Sequence, residues 1–541
     1  MLYCFSIVAW LPFAQACYVS SVLDGLFTML ASPFATHPLL TTFEPLTHVS
    51  AIVLAAGKGT RLKSQLAKVL HPLWGTPLLG HVMQTLAYAG VTHQVIVTGH
   101  QRNAVEAYVQ THTDTLQQRL ATDILEVQTV VQDPPSGTGD AVAKGFAGLS
   151  ETTQTLVVTA GDVPLTTPET WHTFIRQHQD LQADITVMIA RLDDPARYGR
   201  VIWEPKTSHV QAIVETSDLE AAQADPERYP EVVACTQGKD LHWVNSGVYA
   251  LNPNTTKHLL PKLYDIANQN AQKEVYFTDI IQLAQQAGLK VGVFVLENPE
   301  EMQGVNTQAD LAMCHTVLNR WTLEHLMRSG VRILAPEATW VAPTVRMAPG
   351  VTMYPGCVIE GDVVIAEDAQ IGPYTTLKKR VSIGARTTIQ QSHLENAFIA
   401  EDCIIGPFTH LRDTVHIARN TKVGNFVEMK NASIGEDSFA SHLAYIGDAT
   451  LGRDVNWGAG AITANFNALT WEKSASSIGD SVKVGSNSVL VAPITVEPHA
   501  FVAAGSVITE NIPAYSLAVA RPKHRFIMGW VTKILEGLSS K

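Results

Sequence analysis

An α/β domain followed by a parallel β-helix is the fold class the sequence predicts, and three observations predict it. Between about Val345 and Ile508 an aliphatic or small residue returns at every sixth position for most of the way. Near the start, the apolar run from Ser50 to Ala56 passes straight into the glycine loop Gly57-Lys-Gly-Thr-Arg61. Between the two, short apolar runs alternate with helical patterns, as in a sheet flanked by helices.

The six-residue period is kept by Met353, Ile359, Ile365, Ile371, Leu377, Ile383 and Ile389. It breaks at Glu395, resumes at Ile405, Leu411, Ile417, Val423 and Met429, and returns at Ile478, Val484, Leu490, Val496, Val502 and Ile508. Such a period fits neither a helix of about 3.6 residues per turn nor an indefinitely alternating strand. It fits a hexapeptide solenoid, in which each hexad is a short strand and a turn, three hexads close a triangular coil, and the recurring aliphatics stack inside. An irregular β sandwich with evenly spaced turns is the alternative, and recurrence at both ends of the segment argues against it.

The chain has 541 residues, which allows about three domains. A net charge of −12 without a cluster of Lys and Arg makes nucleic acid a poor partner. The cysteines, Cys4, Cys17, Cys235, Cys314, Cys357 and Cys403, lack the paired spacing of a zinc site or a disulfide framework, and a reducing cytoplasm is the simplest setting. Residues 1–48 form an apolar extension of unknown role with no Lys or Arg. It lacks the basic start of a secretory signal and the arginines of a transit peptide. Pro12, Gln15, Asp24 and Pro33 interrupt it short of the ~20 residues a membrane span needs. It is set aside from the fold.

A glycine loop directly after a buried strand suits a phosphate. This one has neither Walker A spacing nor the third glycine of the dinucleotide fingerprint, so ATPase and dehydrogenase are not indicated. Lys68 follows close enough for its cation, with Arg61, to reach the same triphosphate; for either alone, a solvated loop charge is the plain alternative. Strands are expected at Gln94–Thr98, Leu125–Val131 and Leu156–Asp162. A carboxylate at the end of the last, Asp162, is placed to hold magnesium on phosphates. Gly137-Thr-Gly139 forms a second glycine turn that could lie against a base. Later, the spacing of Leu311, Cys314, Val317, Leu318, Trp321, Leu323 and Leu326 predicts a long helix closed by Gly330.

Taken together, Leu54-Ala-Ala-Gly-Lys-Gly-Thr-Arg61, Lys68, Gly137-Thr-Gly139, Gly161-Asp-Val-Pro164, Tyr198-Gly-Arg200, Val244-Asn-Ser-Gly247 and Gly304-Val-Asn306 stand in the order found in sugar-1-phosphate nucleotidylyltransferases. Joined to the hexad domain, the chain resembles the bifunctional bacterial N-acetylglucosamine-1-phosphate uridylyltransferase/glucosamine-1-phosphate N-acetyltransferase family over about residues 50–525. The resemblance implies a Rossmann-like nucleotidylyltransferase domain at 49–308, a linker helix at 309–332 and a left-handed parallel β-helix carrying N-acetyltransferase activity at 333–541.

For the first domain it implies UTP as co-substrate and N-acetylglucosamine 1-phosphate as acceptor. Leu54, Ala55, Ala56 and Gly57 would line the nucleotide with Ala160 and Gly161, and Arg61 and Lys68 would neutralise its phosphates. Gln132, Gly137 and Thr138 would read the uracil edge, Asp162 and Asn306 would hold Mg²⁺, and Gly199, Glu215 and Asn245 would bond the acetylated sugar. The sugar phosphate itself attacks the α-phosphorus, so the site's work is positioning and charge stabilisation. Ala67 stands where proline is usual, Pro135 where glutamine is expected, and Thr216 where lysine commonly follows Glu215.

For the second domain it implies that His442 is the general base that takes a proton from the amine of glucosamine 1-phosphate as that amine attacks acetyl-CoA, a task imidazole suits near neutral pH. Arg412 and Lys430 would grip the sugar phosphate, and Tyr445 and Asn456 would orient the sugar. Ala459, Asn465, Phe466, Ser486, Ala504 and Arg521 fall where the family binds acetyl-CoA, between neighbours of a homotrimer. Trp457 occupies a hexad slot that is normally small, and a two-residue insertion follows Asn465-Phe-Asn-Ala468 before Lys473. Two other functions remain open from the sequence: a single-activity nucleotidylyltransferase with a structural prism, and a non-enzymatic scaffold. His442 with Arg412 and Lys430 argues against the first, and Asp162, Asn306 and the Arg61/Lys68 pair against the second.

Overall fold

A computed structural model describes residues 37–121, 124–195, 198–204, 209–266 and 274–539. The chain forms two compact units, one ending at His325 and the other running on from Leu326.

The first unit is built on a sheet of β1 (Leu46–Ala55), β2 (Val91–Thr98), β3 (Glu126–Val131), β4 (Thr155–Ala160), β5 (Ile185–Arg191), β6 (Arg200–Glu204), β7 (His209–Val214), β8 (Trp243–Leu251) and β9 (Val291–Val295). The main path runs β9-β5-β8-β4-β1-β2-β3, with β6 pairing to β8 and β7 off that path. β1 is parallel to both β2 and β4, while β8 runs antiparallel between β4 and β5. Apolar clusters cover both faces, one holding Val49, Ala51 and Val53 and the other Ile52. Burial on both faces is why β1 reads as a continuous apolar run rather than an alternating one. The strand expected to reach Asp162 ends at Ala160, which leaves Asp162 in the turn beyond it.

Two expectations need correction here. Residues 37–48, set aside with the extension, belong to this unit. Leu39 is buried beside Leu62, Leu73, Leu78, Leu165 and Val305. The His37 ring bonds Leu39 N and the Thr322 hydroxyl, and Phe43 N donates to Tyr88 O at 2.7 Å. β1 itself starts at Leu46, three residues before the assumed domain start at 49. Residues 1–36 lie outside the described residues. The helix taken as a linker, Gln308–Arg328, packs Leu311, Cys314, Val317 and Leu318 into that same cluster.

The second unit is a prism of short parallel strands, each pairing with the strand one coil later, a left-handed parallel β-helix. One inward column runs Ile389, Ile405, Val423, Ala440, Trp457, Val484, Val502, and another runs Ile383, Ile399, Ile417, Ile434, Leu451, Ile478, Val496. The period does not break at Glu395. The coil is shortened there, so that Leu394 and Ile399 take the inward slots and Glu395 faces out in an ion pair with Lys379. Likewise Ile434, Ala440, Ile446, Leu451, Trp457 and Thr463 carry the stack from Met429 to Ile478. The strict six-residue count hid them because a corner can lose a residue without disturbing the strands on either side.

Trp457 is fully accommodated. The same-column residue one coil earlier is Ala440, whose small side chain leaves the room the indole fills, and Trp457 Nε1 donates to Ala461 O at 3.0 Å. The insertion leaves the prism after Ala464 as a hairpin, Phe466–Asn467 against Glu472–Lys473, and Ser476 rejoins the ladder. No helix among the described residues is long and apolar enough to cross a membrane.

Candidate active sites

In the first unit, β1 and β4 end side by side, with Leu54 opposite Ala160 and Gly161 N donating to Leu54 O at 2.9 Å. The loop that follows β1 turns at Gly59, whose φ is +61°; a Cβ there would come within 2.5 Å of Lys68 Cβ. Glycine is needed because the lysine stem lies directly across the loop. Lys68 Nζ donates to Asn306 Oδ1 at 2.8 Å and pairs with the Asp162 carboxylate. Arg61 donates to the same Asn306 oxygen at 2.8 Å. Thus four residues that span the sequence from 61 to 306 meet at the carboxyl end of the sheet, where open α/β sheets bind ligands. Asn306 is fixed by a reciprocal cap: Asp310 accepts from the N–H groups of Asn306 and Thr307, and Asp310 N donates to the Thr307 hydroxyl.

Among the described residues no three His, Cys, Asp or Glu side chains converge as a metal cluster. The fit to a metal rests on Lys68, whose ammonium touches both Asp162 and Asn306. One compact cation therefore reaches both oxygens, and a hard cation such as Mg²⁺ takes such ligands together with substrate phosphates.

The second glycine turn is clamped. Gly137 has φ +112°, and a Cβ would meet Val275 O at 2.5 Å. Gly139 N donates to Val275 O and Phe277 N donates to the Thr138 hydroxyl. The Gln132 amide, expected at the uracil edge, donates to Gly137 O at 2.9 Å and to the buried Asp140 carboxylate at 2.8 Å. Asp140 also accepts from Tyr264. In this state Gln132 shapes the loop from beneath, and the Gly137–Thr138 segment is what it presents.

Gly199, Glu215 and Asn245 lie together: Asn245 N donates to Gly199 O at 2.8 Å, and a Cβ on Gly199 would lie 3.2 Å from Glu215 Oε2. Glu215 accepts from the Thr278 hydroxyl at 3.1 Å, and burial pushes its carboxyl pKa up. Asp279 alongside is pushed to about 6 by burial and by Asp218 and Glu215. Thr278, Asp279 and Tyr249, which takes the Asn245 amide proton at 2.7 Å, were not legible as site residues, because they carry no motif and their proximity arises only on folding. Two departures are also explained. Ala67 N donates to Gln101 Oε1 at 3.0 Å, a bond that proline could not make. The Thr216 hydroxyl donates to Tyr198 O at 3.0 Å and ties the Glu215 helix to the Gly199 segment. Pro135 is exposed, and nothing in the structure explains it.

In the second unit, Arg412 stands opposite Lys430, and Glu428 opposite Tyr445, on adjoining coils of one face. Arg412 pairs with Glu428 and Asp413, and Lys430 with Asp413 at 3.3 Å. His442 projects at the adjacent edge, where its Nδ1 lies 2.8 Å from Asn425 Oδ1 one coil earlier. The same edge continues through Ala459, Ser486 and Ala504, linked by bonds from Gly460 N to Leu443 O, Asn487 N to Ala459 O and Gly505 N to Ser486 O. Arg521 closes the row by donating to Ala504 O at 2.8 Å. Asn456 lies on the next face, stacked on Phe439 in the ladder. Asn465 is buried against Asp448 at a different edge, and Phe466 is exposed on the hairpin, edge-on to Trp471. Asn467 accepts from Leu469 N and holds the hairpin turn. Glu428, Asp413 and Asn425 were missed; counting one coil back from Tyr445 and His442 would have found Glu428 and Asn425, and Asp413 is the chain neighbour of Arg412.

A sheet end carrying Arg61 and Lys68 and a histidine-bearing prism edge in one chain define a class, the nucleotidyltransferases joined to a hexapeptide-repeat acyltransferase. Residues 50–299 match the nucleotidyl transferase family. The bifunctional protein GlmU of Corynebacterium aurimucosum is 38% identical over 487 residues, covering 90% of this chain and 94% of its own. That of Alkaliphilus metalliredigens is 37% identical over 490 residues, 90% and 98% of the two chains, and that of Halalkalibacterium halodurans 36% over 483 residues, 89% and 98%. The chain belongs to the family of the bifunctional protein GlmU, and it is a transferase with uridylyltransferase and acetyltransferase activity.

Proposed function

We propose that the chain makes UDP-N-acetylglucosamine in two steps, acetylating glucosamine 1-phosphate with acetyl-CoA and then joining the product to UTP with release of pyrophosphate. The observation that carries this most strongly is the single edge on which His442, Ala459, Ser486 and Ala504 follow one another in successive coils. A general base and a track long enough for an extended thioester lie along one line.

In acetyl transfer, Arg412 and Lys430 hold the sugar phosphate in place of Asp413 and Glu428, their partners in the free chain. Tyr445 and Asn456 orient the ring. His442 receives the amine proton as the N–C bond forms and the C–S bond breaks. Ala459, Asn465, Phe466, Ser486, Ala504 and Arg521 seat the coenzyme, with Arg521 offering its cation to phosphate.

In uridylyl transfer, Leu54 to Gly57 with Ala160 and Gly161 seat the nucleotide, and Gly137 and Thr138, supported by Gln132, face the base. Gly199, Glu215 and Asn245 hold the acetylated sugar. Arg61 and Lys68 neutralise the phosphates, and Asp162 with Asn306 would hold Mg²⁺, which supplies further charge neutralisation where charge builds on the leaving pyrophosphate. No protein nucleophile is needed.

The working form is a homotrimer in the cytoplasm. Its support is the edge bearing His442, where Tyr374, Phe408, Phe426 and Leu443 are exposed although all four are apolar or aromatic. One assay tests the whole reading: glucosamine 1-phosphate, acetyl-CoA, UTP and Mg²⁺ are incubated with the protein and the end product is identified. UDP-N-acetylglucosamine is expected. UDP-glucosamine, or no nucleotide sugar at all, would overturn it.

A further inference from the structure

We infer that Asn425 is a positioning residue for acetyl transfer, fixing the working tautomer of His442 through a neutral amide. The inference rests on the reading of His442 as the base. Asn425 and His442 are register partners on consecutive parallel strands, and Nδ1 lies 2.8 Å from Oδ1. An amide oxygen only accepts, so the proton sits on Nδ1 and the lone pair on Nε2. The geometry is enforced by the backbone next to it. A Cβ on Gly424 would come within 2.0 Å of Ser441 O, so only glycine lets the two coils approach closely enough for the side chains to meet. One coil later the same position is Ala459, next to Gly460, which offers Nε2 no competing side-chain donor. The ring is tethered on one side and open on the side where the coenzyme track begins.

A carboxylate at this position would also stabilise the imidazolium. An amide orients the ring without holding the proton that Nε2 receives from the amine. That proton stays free to pass to the departing thiolate sulfur. The charged groups on the two faces that meet at this edge, Arg412, Glu428, Lys430 and Asp413 on one and Lys422 and Lys483 on the other, are not hydrogen-bonded to the ring, and the first four pair among themselves. Asn425 is thus the partner that decides the tautomer.

The test compares Asn425→Ala and Asn425→Asp in the full-length protein, measuring kcat and KM for CoA release from pH 5.5 to 9, roughly one unit either side of neutral and beyond, with pyrophosphate release in the same preparations. Asn425→Ala should lower kcat on the order of 10-fold to 10²-fold with KM changed little, and pyrophosphate release should be unchanged. Asn425→Asp keeps the size and the acceptor, so it should recover rate at high pH while moving the acid limb of the profile up by about one pH unit or more. Should Asn425→Ala act by loosening the fold, Asn425→Asp decides: a recovered rate with a displaced acid limb supports positioning, and an undisplaced limb overturns it. Asn425→Ala within two-fold of the parent, about what assay scatter allows, also overturns it. His442→Ala run alongside keeps the two ideas apart, since unimpaired CoA release there would refute the base and not its partner.

Discussion

The two sites solve the same problem, holding charged groups where phosphates and a reacting atom will be, by opposite means. At the sheet end, Arg61, Lys68, Asp162 and Asn306 come from three separate connections, Arg61 and Lys68 both from the one after β1, and two of them are pinned by a local device: the Gly59 turn for Lys68, the Thr307–Asp310 cap for Asn306. On the prism, Asn425 with His442, Arg412 with Lys430 and Glu428 with Tyr445 are stacked one coil apart, and the ladder alone sets their spacing. The first arrangement tolerates change in any one strand but depends on its loops. The second depends on register, and a slip of one residue would turn every functional side chain inward.

The largest expected effects would break this comparison if the sites were not independent. Asp162→Ala should lower pyrophosphate release from UTP on the order of 10³-fold or more while CoA release stays at the parent level. His442→Ala should do the reverse, lowering CoA release on the order of 10²–10⁴-fold. Both are measured on one preparation of each variant. A parallel fall of both activities in either variant would mean that the residue serves the fold rather than the chemistry.

A second pair sharpens the contrast between the cores. Trp457→Ala empties a slot between Ala440 and Val484 and should cost the prism about 3–5 kcal/mol. Leu39→Ala removes a fully packed side chain from the first unit and should cost it about 2–4 kcal/mol. In a calorimetric scan each should lower one transition only. An unmoved first-unit transition in Leu39→Ala would return residues 37–48 to the status of a dispensable extension.

How much of this could be read beforehand follows from the same contrast. The prism announced itself through a period, so His442, Arg412, Lys430 and Tyr445 could be placed on neighbouring coils, but the coil is shortened again just after Lys430, and that obscured the count and with it Glu428 and Asn425. In the sheet domain the glycine loop, Lys68 and Asp162 were legible because strand ends and phosphate loops have local signatures. Thr278 and Tyr249 were not, since a side chain that meets Glu215 or Asn245 only after folding leaves no pattern in sequence. Leu39 was missed for another reason: a leucine in an apolar stretch carries no sign of the cluster it will complete.

Acid should separate the units. Burial holds His37 at about 3 and His112 and His178 at about 4 in the first unit, against an ordinary value of 6.5. Below pH 6.5 the unfolded chain gains protons that the folded unit refuses, so stability is lost as pH falls, by about 1.4 kcal/mol per pH unit for each histidine, until roughly pH 4. Asp279, raised to about 6, opposes this between 6 and its unfolded value, as do Glu215 and Glu301, which burial also raises, but His81, His93 and His315 are lowered as well and add to the loss. In the prism, Glu395 is lowered to about 2, chiefly by His393 and Lys379, and its contribution fades only below the ordinary carboxylate range; being exposed, it contributes little. Melting at pH 8 and pH 5, about 1.5 units either side of the histidine value, should show the first-unit transition falling well ahead of the prism's. Equal shifts would mean that the buried histidines are not what limits the fold in acid.

The smallest effect tests why the His442 edge differs from the other two. At those edges the left-handed positions are mostly Asp or Asn, among them Asp402, Asn420, Asp437, Asn431 and Asp448, residue types that tolerate this backbone. The His442 edge places Tyr374, Phe408, Phe426 and Leu443 there, with φ between 39° and 59°. A bulky side chain in that region costs about 1–2 kcal/mol, and exposure to solvent returns nothing. Phe426→Asn relieves the strain and loses the stack on Phe408, centroids 5.3 Å apart, worth about 0.5–1.5 kcal/mol. The prism should therefore be unchanged or more stable by up to about 1 kcal/mol. Association should weaken in the same variant, read as a concentration-dependent shift to smaller species in sedimentation velocity. If instead the variant is less stable and its assembly unchanged, the aromatic row serves the single prism, and the proposed trimer must draw on another surface.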